Sequence, residues 1–112
     1  MDLGVYKKKA DLIRDNDVYR VYDLKTLGNL TLSLTELNPH KSTTGHSHEN
    51  AEEVYVFISG KGEMEIGETR EKVTKGNVFL IPKGDFHRVH NKGWQPLKFW
   101  SIFEKYEGRG LK

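Results

Sequence analysis

Four side chains in this chain are of the types that hold a divalent metal, and their spacing lets them meet. In the stretch Thr44 to Gly60, TGHSHENAEEVYVFISG, His46 and His48 stand two residues apart, so on an extended backbone both imidazoles point to one face. Glu53 follows five residues after His48, and a second block, Gly76 to Asn91 (GNVFLIPKGDFHRVHN), brings His87 from a separate strand. Three neutral imidazoles and one carboxylate converging in an apolar cavity make a site for one divalent transition metal with open coordination positions. Iron, manganese, zinc, nickel and cobalt all suit such ligands, and a chain without cysteine offers no thiolate to narrow the choice. An isolated His-x-His pair in a polar loop is more often surface decoration; Glu53, His87 and the glycine and proline spacings around them favour the metal reading.

The neighbours of these residues sort by strand alternation. Glu53, Tyr55 and Phe57 share one face, and Val54, Val56 and Ile58 the other. Glu52 competes with Glu53 for the ligand role, but sharing a face with Tyr55 and Phe57 and the spacing to Gly60 favour Glu53. Tyr55 is then a candidate to orient a substrate hydroxyl. Pro82 and Gly84 make the turn that delivers His87 into its strand, where His87 and Val89 share a face while Phe86, Arg88 and His90 take the opposite one. His40 reads as a loop histidine, and Trp94 and Trp100 as packing residues.

The two blocks resemble the paired motifs of the cupin superfamily. The second has Gly76, five residues, Pro82, one, Gly84, two, His87, three and Asn91; the first has His46-x-His48, four residues, Glu53, six and Gly60. The family's leading glycine, six residues before the first histidine, is His40 here, and a glycine stands instead at position 45. Together the motifs cover Gly45 to Asn91, about two fifths of the chain. The resemblance implies an all-β, single-domain cupin jelly-roll and supports His46, His48, Glu53 and His87 as metal ligands. Within the superfamily, the cupin-type glucose-6-phosphate isomerases of archaea are similar at Thr43-x-Gly45-His46-x-His48, Glu53-x-Tyr55 and Gly60-Lys61-Gly62. Those enzymes are longer at the N-terminus and between the second histidine and the glutamate. This likeness implies metal-assisted interconversion of an aldose and a ketose, hence isomerisation of a small hydroxy-carbonyl substrate, a sugar or sugar phosphate. The strand alternation makes Glu53, as ligand or base or both in turn, and Tyr55 the catalytic candidates. A mononuclear non-haem iron dioxygenase and a non-catalytic sugar- or effector-binding module are the alternatives that the same family allows.

Composition agrees with an ordinary globular domain. The 112 residues are 36% hydrophobic and 30% charged, enough for one core and one domain over 1–112. No apolar run is long enough to span a membrane or serve as a secretory h-region, so a cytoplasmic protein is the default expectation. The 18 basic and 16 acidic side chains are interleaved. Only Lys7-Lys8-Lys9 forms a run, read as a solvated edge, and without a basic–aromatic platform nucleic acid is not an expected partner.

The rest of the chain must position these residues. Met1 to Arg14 reads as a short strand or turn, Val18 to Leu24 as a strand, and Thr26 to Asn29 as a turn. Leu30 to Leu37 alternates, with Leu30, Leu32 and Leu34 expected to face the core and Thr31, Ser33 and Thr35 the solvent; Leu37 falls on the polar face, as at a bulge or strand end. Short strands punctuated by Gly60-Lys61-Gly62, Gly67-Glu68, Lys75-Gly76-Asn77 and Pro82-Lys83-Gly84-Asp85 lead to a last strand, Leu97 to Glu104, and a polar tail, 105–112, expected to be loosely held. No convincing helical period is present, so the fold class is an all-β sandwich or barrel. The outward row Val54, Val56 and Ile58, with Trp100 and Ile102, predicts a homodimer that buries it, or else cover from the N-terminal segment.

Overall fold

The computed structural model describes residues 1–105. It consists of a short helix α1 (Leu3–Lys9) and nine strands: β1 (Asp11–Asp15), β2 (Tyr19–Leu24), β3 (Leu30–Leu37), β4 (Glu53–Ser59), β5 (Gly62–Ile66), β6 (Thr69–Val73), β7 (Val78–Ile81), β8 (His87–Asn91) and β9 (Leu97–Glu104). All pairings are antiparallel. Six strands form one sheet in the order β1-β2-β3-β9-β4-β7, and three form a second, β6-β5-β8. This is the all-β class that the short strands and glycine turns implied, in the jelly-roll form that the cupin resemblance named. No helix among the described residues is long and apolar enough to cross a membrane.

The core lies between the two sheets. Leu37, Tyr55, Phe57, Ile81, Leu97 and Phe99 from the larger sheet meet Met64, Val73 and Val89 from the smaller one, all buried. Phe57 and Phe99 pack with ring centroids 5.0 Å apart, and Tyr55 stacks 5.0 Å from Phe99. Burying a side chain of this size stabilises by about 1.5–3 kcal/mol, so these rings carry a large part of the closure of one sheet on the other.

The faces of β3 are the reverse of the sequence expectation. Thr31, Ser33, Thr35 and Leu37 face the interior, opposite Phe103, Ser101, Phe99 and Leu97 of β9, whereas Leu30 is exposed. Leu37 marks the strand end and sits in the core without a bulge. A leucine row identifies the inner face only where one face alone is covered, and β3 is covered on both. Leu34 is fully buried on the outer face, opposite Trp100, and Tyr6 of α1 packs edge-on against that indole at 4.8 Å.

The helix α1 is the second correction, since a strand or turn was expected there. Asp2 caps it, its carboxylate accepting from the Val5 N–H at 2.9 Å. Its one buried residue, Tyr6, has its hydroxyl 2.8 Å from the Tyr22 carbonyl and 2.5 Å from that of Leu32, and with one proton it donates to one of them at a time. Seven residues give too little periodicity to stand out, and the anchor is tertiary. Of the lysine run, Lys8 and Lys9 are exposed as expected, but Lys7 ion-pairs with Glu36 and lies over the Tyr22 ring. In the expected tail, Lys105 is held, donating from its backbone to Asn29 and from Nζ to the carbonyls of Lys25 and Leu27; residues 106–112 lie outside the described ones.

Gly62 shows how tightly the two sheets meet at the β4–β5 corner. A Cβ there would come 2.2 Å from the carbonyl oxygen of His90 and 2.7 Å from Leu97 Cδ2. The first obstacle is backbone, so it moves only with its strand. A Gly62→Ala protein is expected to lose about 1–3 kcal/mol, measured as a lower urea midpoint with unchanged slope.

Candidate metal centre

The site is built where the loop before β4 runs alongside β8. His46 and His87 form an isolated antiparallel bridge, with His46 N–H donating to the His87 carbonyl at 3.2 Å and His87 N–H to the His46 carbonyl at 2.9 Å. The exchange of both bonds fixes the two imidazoles side by side, their ring centroids 4.4 Å apart. His48 follows on the same side, 4.6 Å from His46 and 6.0 Å from His87 by ring centroids. The turn before β8 is tied to this loop: Gly84, at φ 82°, donates its N–H to the His48 carbonyl at 2.7 Å. From the far sheet, Glu53 at the start of β4 completes the group, with Oε1 3.3 Å from His48 Nε2 and 3.8 Å from His87 Nε2.

The candidate ligand atoms of His46, His48, Glu53 and His87 all lie within 4.8 Å of one another. The neighbouring backbone sets the tautomers. His46 Nδ1 lies 3.2 Å from the Thr44 carbonyl, and His87 Nδ1 lies 3.1 Å from that of Asp85. A carbonyl can only accept, so both rings carry the proton on Nδ1 and turn the Nε2 lone pair toward the cluster. Two imidazoles preset as Nε2 donors, a third beside them and a carboxylate fit a divalent-metal site.

The remaining sequence candidates fall as follows. Glu53 is 4% exposed and Glu52 is on the surface, which separates those competitors. Tyr55 is buried and edge-on to His87 at 5.7 Å, so it lines the site. His90 points away from the cluster, on the outer face of the small sheet. His40 is outside the group; it keeps a left-handed backbone, φ 62°, at the position where the family has glycine, and packs edge-on against Trp94. Trp94 corrects another expectation, since it is 85% exposed and does not pack in the core. At Gly45 a Cβ would fall 2.0 Å from the tip of the exposed Phe86 ring, which would have to turn aside.

Sequence reasoning missed Asp23. Its place in a strand says nothing of its burial, yet it is fully buried on the inward face of β2. Strand register sets Asp23 opposite Ser33, Ser33 opposite Ser101, and Ser101 opposite Tyr55. A polar row thus crosses the inner face of the large sheet to the tyrosine of the site. Asp23 shares its face with the buried Val21, two residues before it, so only the burial of that face reveals it.

Two antiparallel sheets closed over a histidine–carboxylate cluster define a small β-barrel protein with a metal-type site. The model of the Cupin domain matches residues 33–103, and the chain belongs to the cupin family. It is similar to the glucose-6-phosphate isomerase of Pyrococcus abyssi, at 33% identity over 115 residues covering 87% of this chain and 61% of that protein. In structure it resembles a protein from Thermus thermophilus (TM-score 0.78, 19% identity, 93% and 94% of the two chains), which shows the fold. It also resembles Bacillus subtilis oxalate decarboxylase, a protein with Mn(II) centres (TM-score 0.74, 25% identity, 81% of this chain and 27% of that one). The chain spans about two fifths of the length of several other curated relatives that it matches.

Ligands from three separate segments cannot assemble in the unfolded chain, so a divalent metal is expected to raise the melting temperature. Imidazole must be neutral to bind, so metal affinity falls as the pH drops below about 6.5. His87→Ala is expected to lose at least tenfold in metal affinity, read by isothermal titration; full affinity and stoichiometry in that variant would remove His87 from the site.

Proposed function

We propose that this cupin is a metal-dependent enzyme that isomerises a small hydroxy-carbonyl compound, a sugar or sugar phosphate. The observation that carries the reading is the group His46, His48, Glu53 and His87 with Tyr55 against it. The 33% identity to an archaeal glucose-6-phosphate isomerase supports it. His46, His48, Glu53 and His87 hold one divalent transition ion, with manganese, iron, zinc and nickel as the candidates. When bound, that ion supplies Lewis acidity to a carbonyl oxygen and the neighbouring hydroxyl. Glu53, nearly enclosed and set against two imidazoles, serves either as the fourth ligand or as the base that takes a proton from the carbon beside the carbonyl, or as each in turn. Tyr55, wedged between Phe99 and His87, orients a substrate hydroxyl. The aromatic wall of Tyr55, Phe57 and Phe99 excludes water from one side of the group.

Metal-loaded protein incubated anaerobically with fructose 6-phosphate in deuterated water is expected to form aldose and to exchange deuterium at the carbon next to the carbonyl. Neither product, with any of the four metals, would remove this reading. Oxygen consumption by the iron form would favour dioxygenase chemistry instead. Binding of a sugar without turnover would favour a non-catalytic module.

The working unit is a homodimer in this reading. The outer face of the large sheet carries Val54, Val56, Trp100 and Ile102, all half-buried, and runs on to Val78 and Leu80 of the edge strand β7, which are 56% and 72% exposed. The helix α1 packs on the Trp100 end, through Tyr6. A second copy covering the same face gives a self-complementary, two-fold contact. Sedimentation equilibrium at micromolar concentration is expected to give twice the chain mass, and a clean monomer removes the dimer.

A further inference from the structure

The outer face of the small sheet carries a second chemical group, on the side of β8 away from the metal centre. Ser42 Oγ lies 2.6 Å from His90 Nδ1, and His90 Nε2 lies 2.9 Å from Glu65 Oε1. Arg70 backs the carboxylate, with NH2 3.3 Å from the same oxygen. Sheet geometry explains the contact distances. The bonds Thr43 N–H to the Val89 carbonyl and Asn91 N–H to the Lys41 carbonyl, both 2.9 Å, flank Ser42 and His90 and make them a non-hydrogen-bonded antiparallel pair, the kind whose side chains come closest. Glu63 stands directly across β5 from His90, Glu65 is its diagonal neighbour, and Arg70 pairs with Glu65 from β6. Four adjacent extended segments therefore contribute one side chain each to a single row.

The proton positions follow from the partners. The hydrogen bond from His90, with the Arg70 guanidinium beside it, holds the Glu65 carboxyl below the usual carboxylate range, so it accepts. His90 then carries its proton on Nε2, leaving Nδ1 bare to accept from the Ser42 hydroxyl. His90 is 8% exposed, whereas Ser42 is on the surface. An accessible serine hydroxyl, a base oriented by a carboxylate, and a cation behind it are the roles of an acyl-transfer triad, here with the two imidazole nitrogens exchanged.

We propose that Ser42, His90 and Glu65 form a second site, in which Ser42 is a nucleophile toward small carboxylic esters with good leaving groups. Ser42 Oγ attacks the carbonyl carbon of R–CO–OR′ while its proton passes to His90 Nδ1. The C–OR′ bond then breaks, the proton moves from Nδ1 to the departing oxygen, and R′OH leaves the acylated serine. A water that gives its proton to the same nitrogen releases RCOOH and restores Ser42. Glu65 is a positioning residue, holding the ring and its tautomer. In such a non-hydrogen-bonded pair the Ser42 N–H points away from β8, to the sheet edge, where it can donate to a developing oxyanion. A single donor gives weak stabilisation, since each one is worth about 10²–10³ in rate. That restricts the site to activated esters.

The test uses the whole 112-residue chain, metal-loaded and chelator-treated in parallel, with p-nitrophenyl acetate and a fluorophosphonate as probes. A stable fluorophosphonate adduct is expected on Ser42 and on none of Ser33, Ser47, Ser59 or Ser101, at the same rate in both forms. Ser42→Ala should lose the adduct. His90→Gln should slow labelling by about 10²-fold, and Glu65→Gln should slow it while Glu65→Asp keeps most of the rate. Glu65 is on the surface side of the sheet, so its variants report even where His90→Gln folds poorly. No adduct on Ser42 in the parent protein, or an unchanged rate in Glu65→Gln, overturns the proposal. Because the site is independent of the metal, the isomerase reading stands or falls separately.

Discussion

The whole arrangement depends on one backbone pairing, the mutual hydrogen bonds between His46 and His87. They staple an irregular loop to β8 at the point where both segments must present an imidazole. The Ser42–His90 bridge and the Gly84 N–H bond to the His48 carbonyl hold the loop on either side, and the His46–His87 pairing sets the first histidine directly beside the third. Glu53 then closes the group from the opposite sheet, so the separation of the sheets sets the distance of the carboxylate from the rings. That separation is fixed by close-packed aromatics, Tyr55, Phe57 and Phe99. Site geometry and core packing are thus one constraint.

Much of this was legible in the sequence because strands alternate with a period of two and glycine and proline mark turns. The shared face of His46 and His48, the inward Glu53 and Tyr55 and the outward His90 follow from counting positions, and the meeting of His87 with that group follows from the resemblance to the two cupin motifs. The strand from Leu97 to Glu104 was also readable. What could not be read was which face of β3 is inside, because leucine on one face and threonine and serine on the other normally point the leucines inward. Here the polar face lines the interior beside Asp23 and Ser101, and the leucines meet the outer layer made by Tyr6 and Trp100. The helix α1 was missed for the same reason: its anchor is one tyrosine contacting residues 16 and 26 positions away. Local patterning carries no information about such contacts.

The strand β8 shows how much alternation can do in five residues. His87 and His90 are three apart and therefore on opposite faces, one buried against Glu53 and the other bonded to Glu65. Each imidazole has a carboxylate of its own, and the sheet stands between the two pairs. Charge changes on the outside row are thereby separated from the inner group by packed Met64 and Val89.

The hydrogen bonds that orient His46 and His87 come from the carbonyls of residues 44 and 85 and make no use of their side chains. Any amino acid that allows the local backbone can stand at either place and leave the rings aimed as they are. Drift at these two positions is invisible to the chemistry, although they hold the tautomers of half the cluster. A comparison of relatives by side-chain identity alone would pass over them. Their contribution is written in chain path, and it survives substitution for as long as the path does.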